Sequence, residues 1–401
     1  MKYAILVGDG MGDYPIPELG GRTPLEAAHT PNMDALAQGG LLGLVQTIPP
    51  DKEPGSDVAN MSIMGYDPQL YHTGRGPLEA ASMGIKVKPE ELAFRLNLVT
   101  LDFEDAGRVI MRDHSAGHIT SQEAAELIKH LAAKLPLTRS QRLYPGVSYR
   151  HLLTWPDLPD GLPTIAPHDY RDQEVTAYLE GDLPEMRPLL DLVRASWAVL
   201  RDHPINRARI VAGRRPANSI WPWGQGRPPA MPTYRDRWGL SGSVVSAVDL
   251  IKGLGVYAGL KPLDVAGATG LIDTNYQGKV QAALEALEKE DFVLVHIEAP
   301  DEAGHQGDLE TKIRAIELFD QLVVGPIRAG LTALGDYRLL VLCDHFTPLS
   351  VKTHTREPVP FLIHPDFQPS GRPYTEVQAA VAGLYLPQGH HLVELLFGDR
   401  K

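Results

Sequence analysis

The chain has 401 residues, 43% of them hydrophobic and 22% charged, and a formal charge of -12. It is long enough to bury a full core and to divide into two domains, and its acidic balance argues against a nucleic-acid or anionic-membrane partner, which demands a basic face. A single cysteine, Cys343, excludes an internal disulfide framework and suits a reducing, cytoplasmic compartment.

Lys2–Gly8 opens the chain as a short continuous apolar run, the pattern of a strand buried on both faces. It is too short for a signal peptide, and no apolar run approaches the roughly 20 residues of a membrane span. Thr30-Pro31 predicts a helix start with Thr30 as N-cap, Gly39-Gly40 its end, and Gly43–Ile48 the next strand. Ala93–Leu101 and Arg108–Met111 read as a strand pair, and Thr120-Ser121-Gln122-Glu123 as a capping box for a helix to about Leu135. Strand-like Val147–Thr154 follows, then a helix near Pro184–Arg201. Ser241–Ala258, Gly278–Glu290 and Leu309–Arg328 read as helices, and Phe292–Ile297, Tyr337–Cys343 and Pro358–Ile363 as strands. This alternation predicts an α/β core, a doubly wound and mainly parallel sheet. The core is expected over residues 1–90 and 182–401, with a smaller α+β domain inserted at 91–181.

Three apolar strands each end in a ligand-type residue: Asp9 after the first, Glu298–His305 after Phe292–Ile297, and Asp344-His345 after Tyr337–Cys343. His354 follows shortly before another strand. Sites in open α/β sheets form beyond the carboxyl ends of strands, so these groups can converge. A lone Asp at a strand end is usually a cap or turn residue, and a lone His is usually not a ligand; the recurrence at three strand ends favours metal binding. Carboxylates and imidazoles together suit Zn²⁺, Mn²⁺ or related ions, and a pair of such ions clamps both oxygens of an in-line phosphoryl displacement. Ser56, in Pro54-Gly55-Ser56-Asp57-Val58-Ala59-Asn60, stands at a predicted helix start, where the dipole and free N–H groups favour a phosphate. Locally, such a serine is more often a simple N-cap.

Together, Gly8-Asp9-Gly10, Gly55-Ser56-Asp57, Pro300-Asp301-Glu302-Ala303-Gly304-His305, Asp344-His345 and Thr353-His354 with Pro358-Val359-Pro360 resemble the archaeal type of cofactor-independent phosphoglycerate mutase, a family of the alkaline phosphatase superfamily. The resemblance extends through Thr30–Asp34, Gly65–Pro68, Gly74-Arg75-Gly76 and Asp249–Gly253, and so covers essentially the whole chain. It implies an alkaline-phosphatase-like core and two divalent metal ions, Mn, Zn or Co, with Mg also compatible. One ion is implied at Asp301, His305 and His354, the other at Asp9, Ser56, Asp344 and His345. Ser56 is the implied nucleophile, forming a phosphoserine and returning the phosphoryl group to the neighbouring hydroxyl of glycerate. Lys252 is implied beside the transferring phosphate.

The insert is implied to hold the organic end of a small phosphorylated acid. Arg150, His151 and His118 are candidates there, with Arg75 and Asn218 outside it, and His168 or Asp169 as proton shuttle. Of the arginines between Arg201 and Arg237, one or two are expected in the site, and the tryptophans of Trp221-Pro222-Trp223 are expected to pack. The implied reaction is the interconversion of 3-phosphoglycerate and 2-phosphoglycerate. A metal-dependent phosphatase or homoserine-kinase-like phosphotransferase is the alternative, and a non-catalytic phospho-ligand-binding relative a more distant one. No Gly-x-x-x-x-Gly-Lys-Ser/Thr loop supports an ATP-dependent kinase. A homo-oligomer is compatible with the sequence.

Overall fold

The computed structural model describes residues 1–365 and 367–398. Among them, fourteen strands run β1 (Lys2–Gly8), β2 (Leu41–Val45), β3 (Glu91–Phe103), β4 (Val109–Asp113), β5 (Arg142–Tyr144), β6 (Arg150–Pro156), β7 (Gln173–Glu174), β8 (Ser219–Gly226), β9 (Gly242–Val245), β10 (Lys261–Leu263), β11 (Phe292–Ile297), β12 (Tyr337–Leu342), β13 (Val359–His364) and β14 (Tyr385–Leu386). No helix among the described residues is long and apolar enough to cross a membrane.

The chain divides into two compact units, Met1–His72 with Ala230–Lys401, and Thr73–Pro229. The first is α/β. Its eight-stranded sheet has the order β10-β9-β11-β1-β12-β13-β2-β14. β10, β9, β11, β1 and β12 are parallel neighbours, whereas β13 is antiparallel to both β12 and β2. β1 lies between β11 and β12, with Gly8 opposite Ile297 and Val7 opposite Leu342. Those three strands are buried almost throughout, which explains their unbroken apolar sequences: with both faces covered, no alternation survives. Full burial of each large aliphatic side chain contributes about 1.5–3 kcal/mol, so the carboxyl ends of β11, β1 and β12 are held on the stiffest part of the unit.

The second unit is α+β. Its sheet has the order β5-β6-β3-β4-β7, with β8 also paired to β3. The capping box is present, Thr120 accepting from the Glu123 N–H and Glu123 from the Thr120 N–H, and the helix runs Ser121–Lys134.

Several sequence expectations require correction. The compact middle unit is Thr73–Pro229, wider than the 91–181 read from sequence. β8 pairs along β3 from Ala93 to Val99, and the helices Arg75–Ser82 and Arg187–Arg201 pack on β3 and β8, so the flanking segments belong with the middle. Ser241–Ala258 is a strand and a helix rather than one helix: Gly242–Val245 forms β9, and the helix occupies Asp249–Tyr257. A four-residue buried run with two valines carries no periodicity that separates helix from strand. The long helix from Leu309 is interrupted by a π turn at Asp320–Val324 and continues as Gly325–Leu334. There the buried Asp320 accepts from the Met33 N–H at 2.7 Å and the Asn32 N–H at 3.2 Å. It therefore caps the helix Pro31–Gly39, which Thr30 was expected to cap and does not.

Candidate functional site

The three strand ends deliver their ligand-type residues to one place in the first unit. Asp9 follows β1, and its backbone N–H still donates to the Ile297 carbonyl of β11. Asp301 and His305 lie on the helix Ala299–Gln306, which starts two residues after β11. Their i, i+4 spacing puts both on one helix face, and His305 Nε2 stands 3.2 Å from Asp301 Oδ2. His354 Nε2 is 3.3 Å from Asp301 Oδ1 and 3.0 Å from His305 Nε2. His305 Nδ1 donates to the Lys352 carbonyl at 3.0 Å, which turns the Nε2 edge of the ring toward Asp301 and His354. Two imidazole nitrogens and a carboxylate thus converge, the donor set that a divalent ion of the Zn/Mn class accepts.

Asp344 and His345 stand two and three residues beyond the end of β12. Asp344 Oδ1 accepts from the N–H groups of Gly10 and His345, at 3.1 and 2.9 Å, and Oδ2 accepts from Asn60 Nδ2 at 2.9 Å. His345 Nε2 lies 3.3 Å from Asp9 Oδ1, 3.6 Å from Asp344 Oδ2 and 3.1 Å from Ser56 Oγ. The helix Ser56–Ile63 has Gly55, not Ser56, at its N-cap position. The serine hydroxyl is therefore not spent on capping, and Asn60, one turn on, donates to the Ser56 carbonyl at 2.9 Å. Gly10 has a left-handed φ of 61°, and a Cβ there would stand 2.7 Å from the Asp301 backbone, so only glycine lets the β1 loop approach so closely.

The electrostatics call for cations. Burial and the charges of Asp344, Asp301 and Glu298 push the Asp9 carboxyl well above its ordinary range. Burial would raise Asp301 too, but hydrogen bonds from His305 and His354 outweigh it and hold the group ionised. The bond to Asp301 raises His305 to about 9, whereas burial lowers His345. Asp9 Oδ1 is buried without a hydrogen-bond donor. A carboxylate in that state is costly unless a cation joins it. The residues present fit divalent ions: Asp301, His305 and His354 form one candidate group, Asp9, His296 and Asp344 a second, and His345 joins Asp9 and Asp301 in a third that overlaps both.

In the first unit, sequence reading missed three residues. His296, inside β11, is fully buried with Nε2 3.2 Å from Asp9 Oδ2, and burial lowers it to about 4. It is the one imidazole within the apolar run Phe292–Ile297, and that interruption was its signal. Thr347 donates to Asp301 Oδ1 at 2.5 Å. Lys279, fully buried and lowered by burial to about 8, shares an electrostatic environment with Glu298 and Lys252. Lys252 itself lies on the helix Asp249–Tyr257 and pairs with the exposed Asp264 at 2.8 Å.

The second unit gathers its own cluster. The Arg95 guanidinium stands over Trp223 at 4.5 Å from the ring centre and Arg75 at 6.0 Å, while the His168 ring is 5.1 Å away. Asp169 is 3.6 Å from His168 Nε2. Arg150 stacks on Tyr149 at 5.8 Å, with the exposed His118 ring 6.4 Å from the same tyrosine. Arg95, which the sequence did not single out, pairs with Glu79 at 3.0 Å. Trp221 and Trp223 pack in the buried core of this unit, as expected, and the Trp223 ring also carries the cationic side chains of Arg95 and Arg75.

Two candidates stand apart from this cluster. His151 is buried, accepts from the Gly146 N–H at 3.0 Å and is lowered by burial to about 3, the state of a neutral core imidazole. The Asn218 side chain is spent on the backbone of Leu101, accepting from its N–H at 2.8 Å and donating to its carbonyl at 2.7 Å. Asn218→Ala is expected to lower the unfolding free energy by about 1–3 kcal/mol, measured by urea denaturation. The arginines near Arg201 are largely structural: Arg209 is buried against Glu123 at 2.7 Å, Arg215 reaches Asp113 at 3.1 Å, and Arg227 reaches Asp160 at 2.8 Å.

A family model described as 2,3-bisphosphoglycerate-independent phosphoglycerate mutase matches residues 37–206. A Geobacter sulfurreducens protein named as a probable enzyme of that kind is 50% identical over 400 residues, covering 99% of both chains. One from Methanothrix thermoacetophila bearing the same name without the qualifier is also 50% identical, again over 99% of both chains. Among solved structures, a Pyrococcus horikoshii protein is similar with a TM-score of 0.83 at 31% identity, covering 100% of this chain and 98% of its own. The Thermoplasma acidophilum cofactor-independent phosphoglycerate mutase matches with a TM-score of 0.66 at 28% identity over 100% of both chains. With half of its residues shared along the full length of such relatives, and with the strand-end groups in one place, the chain belongs to the 2,3-bisphosphoglycerate-independent phosphoglycerate mutase family.

Proposed function

We propose that this protein is an isomerase that interconverts 3-phosphoglycerate and 2-phosphoglycerate through a phosphoserine at Ser56, with two divalent ions held by the strand-end ligands. The observation that carries this reading is the Ser56 hydroxyl, free of any capping role and 3.1 Å from His345 Nε2 within the acid and imidazole cluster. Asp301, His305 and His354 are assigned to one ion, and Asp9, Ser56, Asp344 and His345 to the other. Bound ions of this kind supply Lewis acidity: they lower the pKa of a coordinated hydroxyl and neutralise charge on phosphoryl oxygens.

Ser56 Oγ bonds to phosphorus as the bond to the glycerate oxygen breaks; its proton passes to solvent and is regained when the phosphoryl group leaves the serine again. The freed glycerate oxygen takes a proton, and the other hydroxyl gives one up when it recovers the phosphoryl group. His168 or Asp169 is assigned to that shuttle; at 3.6 Å the two side chains are not hydrogen-bonded to each other, so each is a separate candidate. Arg75 and Arg150 are assigned to the substrate carboxylate, for which the guanidinium fork is suited. Lys252 offsets charge on the transferring group. His296 and Asn60 orient Asp9 and Asp344, and their contacts hold the carboxylates in place before substrate arrives.

An enolase-coupled assay with 3-phosphoglycerate, run beside phosphate release, tests the reading. Mutase turnover far above phosphate release is expected. Release of phosphate at the rate of substrate loss would instead make water the acceptor and the protein a phosphatase.

A further inference from the structure

Thr347 is not among the ligands assigned to either ion, yet its hydroxyl touches a ligand of each. Oγ1 donates to Asp301 Oδ1 at 2.5 Å and lies 3.2 Å from His345 Nδ1. The residue is fully buried, and its backbone is fixed on both sides. Its N–H donates to the Gly12 carbonyl at 3.2 Å, and its carbonyl accepts from Lys312 Nζ at 2.8 Å. Lys312, also fully buried, further holds the Gly12 carbonyl at 3.1 Å and Asp13 Oδ2 at 2.7 Å. One ammonium therefore ties the loop after β1 to the loop after β12, and the threonine hydroxyl has no freedom to wander.

We propose that Thr347 is a positioning residue whose single hydroxyl sets the geometry of both ion sites at once. The argument rests on proton counting. An ionised carboxylate accepts only, so the hydroxyl proton belongs to the bond with Asp301. What the threonine oxygen offers His345 is then a lone pair, and Nδ1 must carry the ring proton. That tautomer leaves the Nε2 lone pair free, and Nε2 is the atom facing Ser56 Oγ and Asp9 Oδ1. The same hydroxyl fixes the rotation of the Asp301 carboxylate, whose two oxygens face His354 and His305. Removing it frees a ligand in each set, and outer partners of metal ligands typically account for about 10–100-fold in affinity.

The inference rests on the two-ion reading above, and the test separates the two. Thr347→Val keeps the shape and removes the hydroxyl; Thr347→Ser keeps the hydroxyl and removes the methyl. Titration of metal-stripped protein with Mn²⁺ in a calorimeter is expected to show both sites about tenfold weaker in Thr347→Val. The Mn²⁺-saturated variant is expected to lose about tenfold in kcat with KM changed less than about twofold. Thr347→Ser should recover both properties to within about threefold, since its hydroxyl reaches the same partners. Wild-type affinity at both sites in Thr347→Val overturns the inference, and so does a Thr347→Ser as impaired as Thr347→Val, because packing of the methyl would then be the cause. ¹⁵N spectra of the metal-free wild type give an answer that needs no variant: a proton on Nδ1 of His345 supports the inference, and one on Nε2 overturns it. If the wild type binds both ions and Thr347→Val weakens them, but no mutase turnover is found, Thr347 keeps its role and the proposed reaction falls.

Discussion

Ser56→Ala is expected to lower mutase kcat by about 10⁴-fold or more, because loss of a covalent nucleophile leaves only binding and electrostatic help. The fold should survive. Gly55 occupies the N-cap position and Ser56 makes no capping bond, so alanine at the first helical position removes one hydroxyl and nothing that the helix uses. The Ser56 carbonyl remains available to Asn60. Thermal unfolding within a few degrees of wild type, together with loss of turnover, is the expected pair of measurements. Mn²⁺ at the Asp301, His305 and His354 site should bind with unchanged affinity, while the other site weakens through loss of one oxygen ligand. A Ser56→Ala enzyme with wild-type turnover would remove the phosphoserine from the mechanism.

Exhaustive chelation is expected to reduce kcat/KM by about 10³-fold or more, with Mn²⁺, Co²⁺ or Zn²⁺ restoring it. The physical ground is the cluster's composition: Asp9, Asp301 and Asp344 lie together and buried, and Asp9 resists ionisation because of its burial and the other charges. Without cations the site can hold its carboxylates only by protonating part of the set. Loss of Lewis acidity at the phosphoryl group then amounts to several kcal/mol of transition-state stabilisation, about 1.36 kcal/mol for each tenfold in rate. Metal content verified by elemental analysis, alongside the coupled assay, decides the matter; full activity in protein shown to be metal-free would end the two-ion reading.

The strand-end residues were legible because short, fully buried parallel strands write themselves as unbroken apolar runs, and the first polar residue after each run falls at the sheet's carboxyl edge. Asp9, Asp344 and His345 needed no more than that. Ser56 was ambiguous: locally it resembles a cap, and only the backbone reveals that Gly55 holds that position. Thr347 and His296 were hidden for a different reason. Their significance lies in what they touch across 46 and 287 residues of sequence, respectively Asp301 and Asp9, and no local pattern encodes such pairs. The division of the chain was misread on the same account, since β8 finds its partner β3 more than a hundred residues upstream. Asn218 and His151 looked like binding residues because polar side chains invite that reading; one braces a strand and the other is enclosed.

The central place of β1 has a consequence for the order of assembly. Its two neighbours, β11 and β12, are among the later strands of the chain, so a nascent β1 has no partner until residues beyond 290 have emerged. The segment Thr73–Pro229 supplies its own strand pairings and is complete well before then. Contacts of such high sequence separation are slow to form because a long loop must close before they stabilise anything. Synthesis therefore leaves the first apolar strand waiting, with both edges unpaired, while the middle of the chain folds. The residues proposed to hold both ions meet only when the last third of the chain closes around it, so the proposed metal centre is completed at the end of folding and cannot template its beginning.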